Sequence, residues 1–215
     1  MQLTIRDPGS ALTHFIAMLL AAGSSLPLLM KAASISPKCL IAMFIFIASM
    51  ILLYGASATY HWATLSEALI KKLRKIDHAM IFVLIAGSYT PVCLIVLEPQ
   101  KGYPLLFAVW CIAILGIAIK ILWITCPKWF SSALYIAMGW LCVFVFGPLI
   151  HTLPRAAFLW LLAGGIIYTI GGIIYALKLP IFNAKHKYFG SHEIFHLFVM
   201  GGSFCHFVFM YWYLL

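Results

Sequence analysis

Apolar runs of about twenty residues or more alternate with short polar connections along this chain, seven times over. A helix needs ~20 predominantly apolar residues to cross ~30 Å of hydrocarbon. Seven stretches meet that requirement, near Ala11–Met30, Lys38–Trp62, Ile76–Leu97, Tyr103–Ile124, Phe130–Ile150, Ala156–Leu177 and Ser191–Tyr213. The pattern predicts an all-α integral membrane protein, a bundle of seven transmembrane helices. Roughly 31 residues per span leave only short connections, so residues 1–215 are expected to form a single membrane domain. The glycine pairs Gly164-Gly165, Gly171-Gly172 and Gly201-Gly202 are expected to let helices pack closely. The connection Leu65–Lys75 has a periodicity of its own: Leu65, Leu69, Leu73 and Ile76 share a helical face, with Lys71, Lys72, Arg74 and Lys75 largely off it. It reads either as a segment lying on the inner leaflet and favouring anionic lipids, or as a basic loop that only fixes topology.

Composition sharpens this picture. Apolar residues make up 65% of the chain and charged residues 9%, far from the balance of a soluble domain. The formal charge of +9 would suit nucleic acid, but its placement argues against that. With seven spans, one side carries Arg6, Lys71, Lys72, Arg74, Lys75, Lys120, Lys128, Lys178, Lys185 and Lys187, and the other carries Lys31, Lys38, Lys101 and Arg155. Ten basic residues against four predict a cytoplasmic N-terminus and an external C-terminus. No secretory signal is evident, since Arg6 is offset by Asp7 and the first apolar run is longer than a signal-peptide core. The six cysteines form no CxxC pair and are expected to serve packing.

Polar residues inside spans carry the candidate chemistry. His192-Glu193-Ile194-Phe195-His196 sets two imidazoles one turn apart on a helix that continues as Leu197-Phe198-Val199-Met200. Residues four apart share a face, so both rings can reach one cation, and imidazole ligands point to zinc. The topology brings three segments to one leaflet: His61 and Ser57 at the end of the second helix, Asp77 and His78 opening the third, and His192 and His196 opening the seventh. His61, His192 and His196 form a three-histidine set of the kind that keeps a fourth zinc position for water. Asp77 can take the proton of that water, or bind the metal as a fourth ligand. Ser57, one turn from His61 on the same face, can orient the water or donate to an oxyanion, or simply bond its own helix's carbonyl. His206 lies ten residues past His196, ~15 Å along the helix and ~80° round it, and cannot reach the same ion. His78 faces ~100° away from Asp77, and His14, His151 and His186 are weaker ligand candidates.

His192-Glu193-x-x-His196 also fits the zincin pattern, in which Glu is the general base of a metallopeptidase. A metzincin would need a further His where Gly202 stands, and no acidic residue follows Glu193. An intramembrane zincin would have to draw on Asp77, which lies upstream.

Several of these residues together resemble a known family. Ser57-x3-His61, Ile76-Asp77-His78-Ala79-Met80-Ile81-Phe82 running into Ala86-Gly87-Ser88-Tyr89-Thr90-Pro91, and His192-x3-His196 with His206 are similar to the hemolysin III branch of the progestin and adipoQ receptor family. Met138-Gly139-Trp140 and Gly164-Gly165-x2-Tyr168-Thr169-x-Gly171 fit the same pattern. The resemblance runs from about Tyr54 to the C-terminus; Asp7-Pro8-Gly9-Ser10-Ala11-Leu12-Thr13, ahead of His14, is less typical. It implies a multi-pass protein of a bacterial plasma membrane, with a seven-helix bundle, an inward N-terminus and a zinc near the cytoplasmic face. It also implies His61, His192 and His196 as ligands, Ser57 and Asp77 as polar partners at the metal, and no required acid at position 193. The wider superfamily includes alkaline ceramidases, which implies a zinc-dependent hydrolase of a lipid or lipid amide. The hemolysin name implies a cytolytic activity.

Three classes therefore compete. The first is a zinc hydrolase acting on a membrane lipid, with Asp77 and Ser57 as catalytic groups. The second is a non-catalytic sensor or homeostasis protein in which zinc clamps helices two, three and seven, closed by a fourth protein ligand such as Asp77. The third, a pore, would need a polar stripe along several helices, whereas the polar residues gather at one end.

Overall fold

The structure, a computed structural model, describes residues 5–177 and 189–215. Lys178, His186, Lys185 and Lys187 of the charge and ligand reading lie outside the described residues. Among those described, all regular structure is helical, and seven helices are long and apolar enough to cross a membrane: α1 Pro8–Ile35, α2 Pro37–Trp62, α3 Glu67–Val96, α4 Pro99–Leu122, α5 Lys128–Thr152, α6 Arg155–Leu177 and α7 Ser191–Leu214. Proline in the first turn of α1, α2 and α4 marks their starts, where its missing N–H has no intrahelical partner to lose. Ser36 adds a cap to α2 by accepting from the Cys39 amide at 3.1 Å.

Two expectations change. The basic stretch after Leu65 is not a separate surface segment: from Glu67 onward it forms the first turns of α3, continuous with the span. Lys120, counted above among the basic residues of one side, is buried inside the bundle. It lies at the end of α4, 1% exposed, with its Nζ donating to Cys126 Sγ at 3.2 Å and to the Ser131 hydroxyl.

α1 packs on α2, α2 on α3, α3 on α4, α5 on α6, α6 on α7, and α7 returns to α1. α2 and α3 are the most buried helices, as their residues Phe46, Leu53, Tyr54, Phe82, Ala86 and Tyr89 show. One glycine of each sequence pair makes a close approach. A Cβ at Gly171 would lie 2.7 Å from Phe198 Cβ, and one at Gly202 would lie 2.7 Å from the Tyr168 ring. Gly165 has open space where a Cβ would go.

α5 is not the straight span that its hydropathy predicts. Its α-helix runs from Lys128 to Gly139, tightens to a 3-10 turn over Trp140–Val145, and resumes at Phe146–Thr152. A break inside hydrocarbon exposes backbone groups that water cannot satisfy. The Tyr89 hydroxyl of α3 answers this by donating to the Gly139 carbonyl at 2.6 Å and the Met138 carbonyl at 3.2 Å, and by accepting from the Cys142 amide at 2.8 Å. The break and its tyrosine shape one wall of a cavity lined mainly by α2, α3, α5, α6 and α7, with His14 of α1 and Leu105 of α4.

Candidate metal centre

The last turn of α2 and the first turns of α7 meet at one end of the bundle and bring three imidazoles together. One ring nitrogen from each of His61, His192 and His196 lies within 4.8 Å of the other two, a group able to hold a metal ion. His61 Nε2 and His192 Nε2 stand 3.2 Å apart. Two nitrogens held ~2.0–2.1 Å from a tetrahedral zinc would be about 3.3 Å apart, so the spacing fits.

The orientation of these rings comes from α1 and the residue before it. Asp7 Oδ2 accepts from His61 Nδ1 at 2.9 Å, which leaves His61 Nε2 free to face His192. The Asp7 amide also donates to the His61 carbonyl at 3.0 Å, so backbone and side chain hold the end of α2 together. The Thr13 hydroxyl donates to the Gly9 and Ser10 carbonyls and stands 3.2 Å from His196 Nδ1. Its lone pair is thus placed to accept from that ring and leave Nε2 for the ion. A carboxylate or hydroxyl behind a ligating imidazole fixes its tautomer and raises its basicity. Partial burial pushes the Asp7 carboxyl up, but hydrogen bonds to His61 and Arg6 outweigh it and hold the group below the usual carboxylate range. Arg6 donates to Asp7 Oδ2 at 2.9 Å and lies over the Tyr60 ring at 4.0 Å.

Glu193 is engaged elsewhere. One oxygen accepts from the Ser10 hydroxyl of α1 and the other from the Gly190 amide at 2.8 Å. It caps the first turn of α7 and ties it to α1, which argues against a base aimed at the metal.

Asp77 and Ser57 are buried and line the same cavity as His192 and His196. The Ser57 hydroxyl stands beside the Asp77 carboxylate. Asp77 is not among the residues whose donor atoms gather with the three histidines. His78 Nε2 lies 4.0 Å from Asp77 Oδ2, while its Nδ1 has no partner. His14 comes closer than the sequence indicates, because its ring stacks on His196 at 3.6 Å between centroids with both nitrogens unpartnered. His206 lines the same cavity but stands outside the group of three.

The part of the site that sequence reasoning missed is thus the start of α1: Asp7, Ser10 and Thr13. A signal exists for Asp7, one of only five acidic residues in the chain, placed at the mouth of the first span.

The comparisons with known proteins identify the family. The Haemolysin-III related family model matches residues 4–207. Hemolysin-3 of Bacillus cereus is 36% identical over 205 residues, covering 94% of this chain and 89% of that protein. A Hemolysin-3 homolog of Bacillus subtilis (strain 168) is 38% identical over 202 residues, covering 93% and 91%. An adiponectin receptor protein of Drosophila melanogaster is 38% identical over 58 residues, which is 26% of this chain and 13% of that one. With seven spanning helices and matches that run through nearly the whole sequence, the chain belongs to the hemolysin III branch of the progestin and adipoQ receptor family, as a multi-pass protein of the plasma membrane.

Proposed function

We propose that this protein is a zinc-dependent hydrolase of a lipid or lipid amide, with its site at the cytoplasmic end of a single seven-helix domain. The observation that carries the reading is that His192 and His196, which gather with His61, line one largely apolar cavity together with Asp77 and Ser57. His61, His192 and His196 would hold the zinc. Bound there, zinc supplies a Lewis acid that polarises a carbonyl and makes water easier to ionise. Asp77, which lines the same cavity and stands outside the ligand group, would accept the proton of the attacking water and return it to the leaving amine. Ser57 donates to the oxygen that gains charge. The cavity walls, including Leu84, Ile85, Val145, Phe146 and Leu161, exclude water and accept an acyl chain. Entry from the bilayer suits a substrate that is itself a lipid, and the basic first turns of α3 favour anionic lipids of the inner leaflet.

The test is hydrolysis of a fluorescent N-acyl lipid amide in nanodiscs by zinc-loaded protein, by chelator-stripped protein, and by stripped protein given zinc again. Turnover is expected in the first and third only. Zinc-loaded, folded protein that turns over no lipid amide or ester would sink the hydrolase and leave the ion as a clamp between α2 and α7.

A further inference from the structure

Two helical turns from His61 on α2 and from His196 on α7, a second polar layer crosses the bundle. The Tyr54 hydroxyl of α2 donates to Ser203 Oγ of α7 at 2.5 Å, and the Tyr168 hydroxyl of α6 lies 2.8 Å from the same oxygen. One turn further along α7 stands His206, 9% exposed and on the wall of the same cavity as His192 and His196. Apart from a loose approach to the Leu161 carbonyl, its ring makes no hydrogen bond: Nδ1 and Nε2 are both buried without a partner. A buried imidazole left in this state costs free energy, and in a membrane span it is a functional-site candidate by default.

The surroundings are fitted to this ring. A Cβ at Gly164 would overlap its Cδ2 and stand 2.6 Å from its Nε2, so only glycine leaves the imidazole its seat. The Tyr168 ring meets it edge-on at 5.3 Å between centroids, and Gly202 in turn leaves room for Tyr168. Two glycines that the sequence offers for helix packing therefore make space for a polar side chain and its neighbour.

We propose that His206 is a second hydrogen-bonding station of the cavity, which takes a hydroxyl or carbonyl group carried partway along the chain of a lipid whose head lies at the three-histidine cluster. Neutral imidazole offers one donor and one acceptor, so it suits an alcohol or a ketone. Ten residues of helix set the spacing between His196 and His206 at ~15 Å, which places the group near the middle of a long acyl chain. This assignment rests on the reading of the cavity as a lipid site.

The experiment measures displacement of a fluorescent fatty acid from zinc-loaded protein in nanodiscs, using octadecanoic acid with and without a mid-chain hydroxyl. Wild type is expected to bind the hydroxylated acid about tenfold more tightly, the reach of one good buried hydrogen bond. His206→Leu should abolish the preference while still binding the plain acid. His206→Gln, which retains a donor and an acceptor, should keep part of it, and Gly164→Ala should reduce it by displacing the ring. Equal affinity for the two acids in wild type, or a preference that survives His206→Leu, overturns the assignment and leaves the lipid cavity standing. Binding of neither acid removes the lipid cavity, and this station with it.

Discussion

The two histidine stations of this bundle are organised in opposite ways. At the metal end, His61 and His196 each have a polar partner behind the ring, Asp7 and Thr13, supplied by the start of α1. Their forward nitrogens converge with that of His192. At the second station, His206 has only a loose approach to the Leu161 carbonyl and is seated by the absence of a side chain at Gly164. The first arrangement makes rings more basic and aims them at one point, which a cation rewards. The second leaves both nitrogens of one ring unclaimed, which suits an uncharged partner. One cavity wall connects them, so a long molecule can touch both.

The largest effects should come from breaking the metal end. His61→Ala, His192→Ala or His196→Ala should each reduce bound metal, measured by elemental analysis of purified protein, from about one ion per chain to near zero, because three ligands leave no redundancy. His206→Ala and His151→Ala should leave metal content unchanged. Retention of the ion by His61→Ala would mean that α2 supplies no ligand.

Next in size is the proton. Asp77→Asn keeps a similar shape beside Ser57 but cannot accept a proton. Turnover of the lipid amide should fall ~10²–10⁴-fold at unchanged metal content. Equal rates for wild type and variant would remove Asp77 from the chemistry.

Asp7→Asn tests what distinguishes the two stations, an orienting partner. Loss of the carboxylate behind His61 should weaken metal affinity ~10–100-fold, read by titration against a competing chelator, while the helical content stays the same. If affinity is unmoved, Asp7 only fastens the chain to the end of α2.

Much of this was legible in the sequence, for physical reasons that also set its limit. Seven apolar runs of the right length could hardly fold otherwise, and His61, Asp77, His192 and His196 stood out because ionisable groups in spans are costly. The gathering of His61, His192 and His196 followed once alternation of the spans fixed which ends share a side. The break in α5 was not legible, because a 3-10 turn over Trp140–Val145 has the same hydropathy as an α-helix, and its stabilising partner, Tyr89, lies 50 residues upstream of Gly139 in α3. Asp7 and Thr13 were missed for a related reason: an orienting residue bears no fixed spacing to the ligand it orients. His206 could be separated from the other two by helix geometry, but the glycines that seat it could not be told from packing glycines until the rings across from them were placed.

The smallest effect expected concerns Glu193, and it distinguishes a cap from a base. Its two oxygens accept from Ser10 and from the Gly190 amide, so its contribution is to hold the first turn of α7, where His192 and His196 sit, against α1. Glutamine can still accept from the amide with its carbonyl oxygen and donate to Ser10 with its amino group. Glu193→Gln should therefore change neither metal content nor turnover by more than about twofold, well short of the usual reach of general acid–base catalysis. Glu193→Ala loses both bonds and should cost ~1 kcal/mol of stability, the usual range for a lost helix cap, seen as a modest fall in Tm in detergent. A protease of the zincin kind predicts the reverse order of severity, with Glu193→Gln inactive at full stability and full metal content. Finding that order would move the base from Asp77 to Glu193 and break the assignment of roles at the metal end.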